Sequence, residues 1–120
     1  MYLKGKESEQ VAESYLKNKG FVIHFKNKRL GRYEVDLVCE KDEVIVFVEV
    51  KSLSSNYCKK PFESVNRSKQ EKIIQVADQV IHTYFPNQES RFDVISMIGE
   101  SKNYKIEHIK NAFTPEIANS

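Results

Sequence analysis

Residues 44 to 51, with the sequence VIVFVEVK, constrain the fold of this chain more than any other stretch. Because side chains alternate between the two faces of a strand, the even-numbered valines share one face and the odd-numbered residues share the other. Both faces begin apolar, which is typical of a strand covered on both sides. The odd-numbered face nevertheless ends with Glu49 and Lys51, and a buried carboxylate is unfavourable unless it is paired, bound to a metal or neutralised. We therefore predict an interior strand whose terminal charges need a partner or a ligand.

The bulk composition is that of an ordinary soluble domain. At 120 residues and 14.0 kDa the chain is long enough for one hydrophobic core. Hydrophobic residues make up 40% and charged residues 30%, and no apolar stretch is long enough to cross a membrane. The first ten residues are polar and lack the apolar segment of a secretory signal. We predict a single cytoplasmic domain over residues 1–120, ending in a tail from about 114 to 120.

The cysteines and histidines do not have the spacing of a metal-binding motif. Cys39 and Cys58 lack the spacing of zinc ligands, and the three histidines are scattered singly. The net charge of +2 is only weakly basic, so bulk charge does not indicate a nucleic-acid-binding protein. Local clusters of charge are therefore more informative than the total.

Periodicity and turn residues divide the chain into seven elements. We predict helices at 8–18 and 66–85, strands at 21–25, 33–40, 43–51, 91–98 and 104–109, a basic turn at 26–32 and a loop at 52–62. The short turn at 41–42 favours an antiparallel hairpin. The order α-β-β-β-α-β-β predicts an α/β fold, with one central β-sheet flanked by helices.

Two carboxylates are predicted to meet across this hairpin. Glu34 and Asp36 share one face of their strand, with Val35 and Leu37 on the other. Pairing through the short turn places Asp36 beside Glu49 on the neighbouring strand. Like charges in this position repel each other unless a divalent cation lies between them, and carboxylate oxygens suit Mg²⁺ or Mn²⁺. The backbone carbonyl of the next residue in the strand, at position 50, is a further candidate ligand.

Lysines and a third carboxylate extend the candidate site. Lys51 shares a face with Glu49 about 7 Å along the strand, where it can orient an attacking water or stabilise charge on a phosphodiester. Glu9 lies at the border of the apolar stripe of the first helix, and Lys69 lies on the core-facing stripe of the second. Together these residues suggest metal-assisted phosphodiester hydrolysis. The alternative interpretation is solvated charges at the rim of a sheet, because a D-x(n)-E-x-K pattern often occurs by chance.

Basic residues flank the candidate site in sequence. We predict that they hold nucleic-acid phosphates, which supplies affinity without sequence recognition. The residues are Lys26, Lys28, Arg29, Arg32, Lys59 and Lys60.

Several short motifs occur together in a specific order. They are G-x-x-x-E-x-x-A from Gly5 to Ala12, G-F at 20–21, Asn27 and Arg29, E-V-D-L at 34–37, V-F-V-E-V-K at 46–51, Lys69, R-F-D-V at 91–94 and E-H-I-x-N-A-F at 107–113. In this order and spacing the chain resembles the YraN family of small bacterial proteins. That family is similar to archaeal Holliday-junction resolvases and to the PD-(D/E)xK nucleases.

The resemblance implies a restriction-endonuclease-like core with a mixed central β-sheet. It also implies that Asp36, Glu49 and Lys51 are the motif residues and that Glu9 corresponds to the glutamate on helix one of the resolvase-like branch. With the positions argued above, we predict Asp36, Glu49, the Val50 carbonyl and Glu9 as metal ligands, with Glu34 and Lys69 in support. The implied function is a Mg²⁺-dependent (or Mn²⁺-dependent) endonuclease that cleaves structured DNA, branched or damaged. A homodimer is expected by analogy. Two alternatives stay open, a non-catalytic nucleic-acid- or protein-binding module on the same fold and a purely structural role.

Overall fold

A computed structural model describes residues 5–54, 66–100 and 103–114. It contains α1 (Gly5–Asn18), β1 (Val22–Leu30), β2 (Tyr33–Lys41), β3 (Val44–Leu53), α2 (Arg67–Tyr84), β4 (Glu89–Glu100) and β5 (Asn103–Phe113). The observed order is the predicted order α-β-β-β-α-β-β, which confirms the α/β class. Residues 55–62 of the predicted loop and 115–120 of the predicted tail lie outside the described residues.

The five strands form one mixed sheet in the order β1-β2-β3-β4-β5. Strands β1, β2 and β3 pair antiparallel, β3 and β4 pair parallel, and β4 and β5 pair antiparallel. A parallel pair requires a crossover connection, and α2 lies in the segment between β3 and β4. The β2–β3 hairpin turns at Asp42 and Glu43, both with positive φ (52° and 68°), as a two-residue turn of this hand requires. The predicted hairpin is therefore confirmed, with its turn one residue later than expected.

Strand β3 is the middle strand of the sheet, and residues 45–50 are all buried. One face packs against α1 through Ala12 and Leu16, and the other packs against α2 through Ile73 and Val80. Burial on both sides explains the apolar run of this strand, and it fixes the position of the two charges at the end of the run. In the described part of the chain, neither helix has the length and apolar character of a membrane span.

The basic segment at 26–32 is not the turn that the sequence predicts. Strand β1 continues through Leu30, and the chain turns at Gly31 and Arg32. Because β1 is an edge strand, exposed charged side chains fit its surface without disrupting the sheet. The predicted loop at 52–62 is likewise wrong at its start, since Ser52 and Leu53 extend β3.

The faces of β2 do not alternate as predicted near the candidate site. Val35 packs in the core on the α2 side, whereas Leu37 packs in the core on the α1 side. The pairing with β1 passes from Lys26–Leu37 to Lys28–Val35, and Asn27 between them has φ 53°. Asn27, with its left-handed φ, thus lies at the level of Asp36, where the faces change.

Candidate active site

Asp36 lies where β2 and β3 separate. The antiparallel ladder between these strands ends at the pair Leu37–Val48. Beyond it, the backbone N–H of Val50 donates to Oδ2 of Asp36 at 2.8 Å. Because the N–H and C=O of one strand residue point to the same side, the Val50 carbonyl also faces this gap. The fork between the two strands thus collects a carboxylate and a backbone oxygen.

Glu49 is the most enclosed charged group of the fork. Its side chain is only 3% exposed, and its Oε2 atom lies 2.7 Å from Nζ of Lys69 and 3.9 Å from Nζ of Lys51. Among the residues that the structure describes, no donor approaches this buried oxygen with the angles of a hydrogen bond. Its pairing with the two lysines is therefore one of charge, and Oε2 keeps lone-pair capacity for another ligand.

Asp36 and Glu49 are adjacent, as the hairpin register predicts, and close enough to share a hydrogen bond. The pKa of Asp36 is raised to about 7, first by burial and then by the charge of Glu49 and the hydrogen bond shared with it. The Val50 N–H opposes this shift, as does the Lys69 ammonium. Without a further cation, Asp36 therefore favours its protonated form below about pH 7.

The two lysines of the site differ in their surroundings. Burial lowers the pKa of Lys51, and this effect outweighs the attraction of Glu49. Burial also acts to lower the pKa of Lys69, but the contact with Glu49 outweighs it, so this pKa is raised. Lys69 is thus held as a cation by Glu49, while Lys51 is the more desolvated of the two.

Glu9 and Glu34 lie beside the fork instead of inside it. Burial raises the pKa of Glu9, followed by the charge of Asp36. With its amide nitrogen facing the acids, Asn27 donates to Oε1 of Glu9 (3.2 Å) and to Oε1 of Glu34 (3.0 Å). Glu34 also accepts from Arg29 at 2.9 Å. Asn27 therefore bridges two acids beside the fork, a role that the sequence analysis does not predict although Asn27 is one of the family motif residues.

The fork has the donor set of a hard divalent cation. Two adjacent carboxylates and a backbone carbonyl are the oxygen ligands that Mg²⁺ accepts while it keeps several waters. The buried Oε2 of Glu49, which lacks an aligned donor in the described part of the protein, is consistent with this interpretation. No three His, Cys, Asp or Glu side chains within residues 5–54, 66–100 and 103–114 form a metal-binding cluster. Direct ligation by Glu9 therefore stays a prediction.

The predicted basic residues do not form one surface: some lie near the fork, and Lys26 lies beside α1. Arg29 and Arg32 lie near the fork, and Arg32 lines a cleft of about 260 Å³ together with Glu34 and Lys69. Lys26 is 61% exposed and pairs with Glu13 of α1 at 3.4 Å.

Lys28, a further member of the predicted basic set, does not face the fork. The Nζ atom of Lys28 lies over the rings of Phe25 and Tyr84, at 4.5 and 5.0 Å from their centroids. Because Tyr84 is the last residue of α2, Lys28 is directed away from the fork. Lys59 and Lys60 lie outside the described residues.

A second polar cluster was missed by the sequence interpretation. Asp93 is fully buried and accepts from Arg91 Nε at 3.1 Å and from the backbone of Asn111 at 3.1 Å, while His108 Nε2 lies 2.7 Å from it. Tyr15 of α1 hydrogen-bonds the other ring nitrogen of His108 at 3.2 Å. Burial acts to raise the pKa of Asp93, but these partners outweigh it and lower the pKa. The cluster joins α1, β4 and β5.

Comparison with known proteins identifies the family. The model of the family described as "Uncharacterised protein family UPF0102" matches residues 8–97. The chain belongs to this family. It is the YraN family whose motifs the sequence resembles.

Bacterial relatives match over nearly the whole chain. A UPF0102 protein of Bacteroides thetaiotaomicron is 37% identical over 113 residues, which cover 94% of this chain and 93% of the relative. A UPF0102 protein of Clostridium beijerinckii is 45% identical over 115 residues, with 91% of each chain covered. A third, from Alkaliphilus oremlandii, is 41% identical over 112 residues. The region matched by the UPF0102 model contains the whole fork and the Lys69 that pairs with it.

Proposed function

We propose that this UPF0102 protein is a metal-dependent endonuclease that hydrolyses phosphodiester bonds in structured DNA, with Mg²⁺ or Mn²⁺ as its cofactor. The observation that carries the proposal is the fork itself, in which Asp36 and the buried Glu49 are adjacent and Lys51 lies 3.9 Å from Glu49. A protein that gained nothing from this arrangement would keep two repelling carboxylates next to each other at a cost to its stability.

The roles of the residues follow from their positions. Asp36, Glu49 and the Val50 carbonyl would hold the cation, which, when bound, supplies Lewis-acid stabilisation of charge on the phosphate. The Lys51 side chain, 24% exposed at the edge of the fork, orients the attacking water and stabilises the extra negative charge of the phosphate. Glu9 holds a proton or a water on the α1 side of the fork, with Asn27 as its fixed partner.

The substrate class follows from the exposed basic residues. Arg29 is 65% exposed, and Arg32 lies in the turn between β1 and β2. Together with Lys26, these side chains offer charge to a phosphate backbone but no array of groups for reading bases, so recognition by shape is expected. We propose branched or damaged DNA in the bacterial cytoplasm as the substrate, bound by one copy or by a homodimer.

A cleavage assay tests the proposal. The protein is incubated with Mg²⁺ or Mn²⁺ and with duplex, flap, four-way-junction and RNA substrates. Cleavage of a branched DNA is expected, and Lys51→Ala should lower the rate about 100-fold, the usual effect of removing one charge-stabilising donor. Lys105→Ala, which removes an exposed lysine on β5, is the matched control and should leave the rate unchanged.

The alternative of a binding module predicts a different result. Such a protein would bind the same DNA in a salt-dependent manner and cleave none of it in either metal. Cleavage that persists at the wild-type rate in Lys51→Ala would instead point to a contaminating nuclease and contradict the assignment of the site.

A further inference from the structure

Lys69 makes the shortest charge contact to the buried acid of the fork. Its Nζ atom lies 2.7 Å from Oε2 of Glu49, whereas Nζ of Lys51 lies at 3.9 Å. Glu49 is 3% exposed and Lys69 is 45% exposed, so the acid is fixed in the protein and the ammonium reaches it from the rim. The ammonium therefore occupies the space next to an oxygen that is also a candidate ligand for the divalent cation.

The position of Lys69 in its helix is unfavourable for a cation. Helix α2 begins at Arg67, and Asn66 caps it by accepting the backbone N–H of Lys69 at 2.9 Å. A positive charge in the first turn opposes the helix dipole, and this turn contains no acidic residue. Helix stability thus does not account for a lysine here, whereas the charge of Glu49 does.

A divalent cation and the Lys69 ammonium repel each other when both contact the same oxygen. A Mg²⁺ ligand lies at about 2.1 Å from the ion, and an ammonium 2.7 Å from the same atom would then face an ion of like charge at short range. Since Lys69 is nearly half exposed, its flexible side chain can move into solvent without unpacking the core. Lys69 and Arg32 line the same cleft, so the displaced ammonium stays close to a second cation that a phosphate can contact.

We propose that Lys69 is the internal counter-ion of Glu49 in the metal-free protein, that the metal ion must displace it to bind, and that the displaced ammonium then contacts a substrate phosphate. This inference rests on the proposed metal site. Lys69 therefore has two opposite effects. It weakens metal binding and strengthens DNA binding. A lysine with a purely structural role would change neither the affinity for the metal ion nor the affinity for DNA.

The test measures Mn²⁺ binding, by titration calorimetry or by the paramagnetic resonance signal of free Mn²⁺, at pH 7.5 and low salt. The variants are Lys69→Met, Lys69→Arg and Lys72→Met, with Asp36→Asn as the variant that should lose the site. Lys72→Met is the matched control because it removes the same charge from the next turn of α2, where Lys72 lies 5.8 Å from the ring of Tyr33.

The expected result is an affinity for Mn²⁺ about five- to tenfold higher in Lys69→Met than in the wild type. Lys69→Arg and Lys72→Met should stay within about twofold of the wild type. With Ca²⁺ bound in place of Mn²⁺, Lys69→Met should bind a DNA junction more weakly than the wild type.

Two results would overturn the inference while leaving the proposed function intact. One is equal Mn²⁺ affinity in Lys69→Met and the wild type, and the other is an equal increase in Lys69→Met and Lys72→Met. Failure of every variant to bind Mn²⁺ at millimolar concentration, or unchanged binding in Asp36→Asn, would overturn the metal site itself and the inference with it.

Discussion

The Oδ2 atom of Asp36 accepts the backbone N–H of Val50 at 2.8 Å, so a side chain joins β2 to β3 where their backbone ladder ends. Here a side chain takes the place of a backbone acceptor for the Val50 N–H. This bond holds Asp36 next to Glu49, the neighbour of Val50 in the strand. The stability of the fork and its proposed chemistry thus depend on the same carboxylate, and substitutions can separate the two.

Substitution of Asp36 should affect stability and metal binding differently. Asp36→Asn keeps an oxygen for the Val50 N–H and removes the repulsion with Glu49, so the metal-free variant should be at least as stable as the wild type at pH 8. Asp36→Ala leaves the Val50 N–H without its acceptor and should lose about 1 to 3 kcal/mol. Urea unfolding of the three proteins measures these free energies. Greater loss in Asp36→Asn than in Asp36→Ala would contradict the assigned bond.

The stability of the metal-free protein should fall as the pH rises through the range set by Asp36. Its pKa is about 7 in the folded protein, against an ordinary value of 3.8. Between these values the folded protein binds one more proton than the unfolded chain, so the free energy of unfolding decreases with rising pH and the decrease is complete above about pH 7. Comparison of the wild type with Asp36→Asn in urea isolates this contribution from other carboxylates. A difference between the two that stays constant from pH 4 to pH 8 would show that Asp36 is an ordinary acid.

Glu9 should contribute to metal binding less than the pair in the fork. It lies beside Asp36 and is bridged by Asn27, and it forms no three-residue metal-binding cluster with the described acids. Glu9→Gln should therefore weaken Mn²⁺ binding about threefold, whereas Asp36→Asn should abolish it. A threefold loss is expected if Glu9 contacts the metal ion through a water. Calorimetric titration of each variant with Mn²⁺ measures these two losses of affinity. Equal losses in both variants would make Glu9 a direct ligand.

The buried cluster around Asp93 should stabilise the fold without taking part in catalysis. Asp93→Ala leaves the side chains of Arg91 and His108 without their acceptor and should lower the free energy of unfolding by about 3 kcal/mol or more. Asp93→Asn, which keeps one acceptor oxygen, should lose less. The Mn²⁺ affinity of the folded Asp93→Asn protein should equal that of the wild type. A large change in that affinity would connect the cluster to the fork.

Much of the sheet can be predicted from side-chain patterns within short stretches of the sequence. The apolar run of β3 is buried on both faces, which requires a central strand, and the short turn at Asp42 and Glu43 determines the pairing with β2. The same register places Asp36 next to Glu49. These features are predictable because each depends on residues close together in sequence.

The features that the sequence did not predict depend on neighbours that are distant in sequence or on single backbone angles. The basic residues of β1 look like a turn until the strand is seen to lie at the edge of the sheet. The change of face at Val35 lies at the level of Asn27, whose φ is positive. The Asp93 cluster needs a register shift between Phe92 and Val94, which brings the backbone N–H of Asn111 to the carboxylate.

The central claim is that Asp36 and Glu49 together hold a divalent metal ion. A crystal structure of the protein grown or soaked with Mn²⁺, with anomalous data collected near the manganese edge, tests it directly. We predict an anomalous peak between the two carboxylates within about 2.5 Å of an oxygen from each, together with a Lys69 ammonium that has moved away from Glu49. A well-ordered fork without such a peak, with Lys69 still 2.7 Å from Glu49, would contradict the claim.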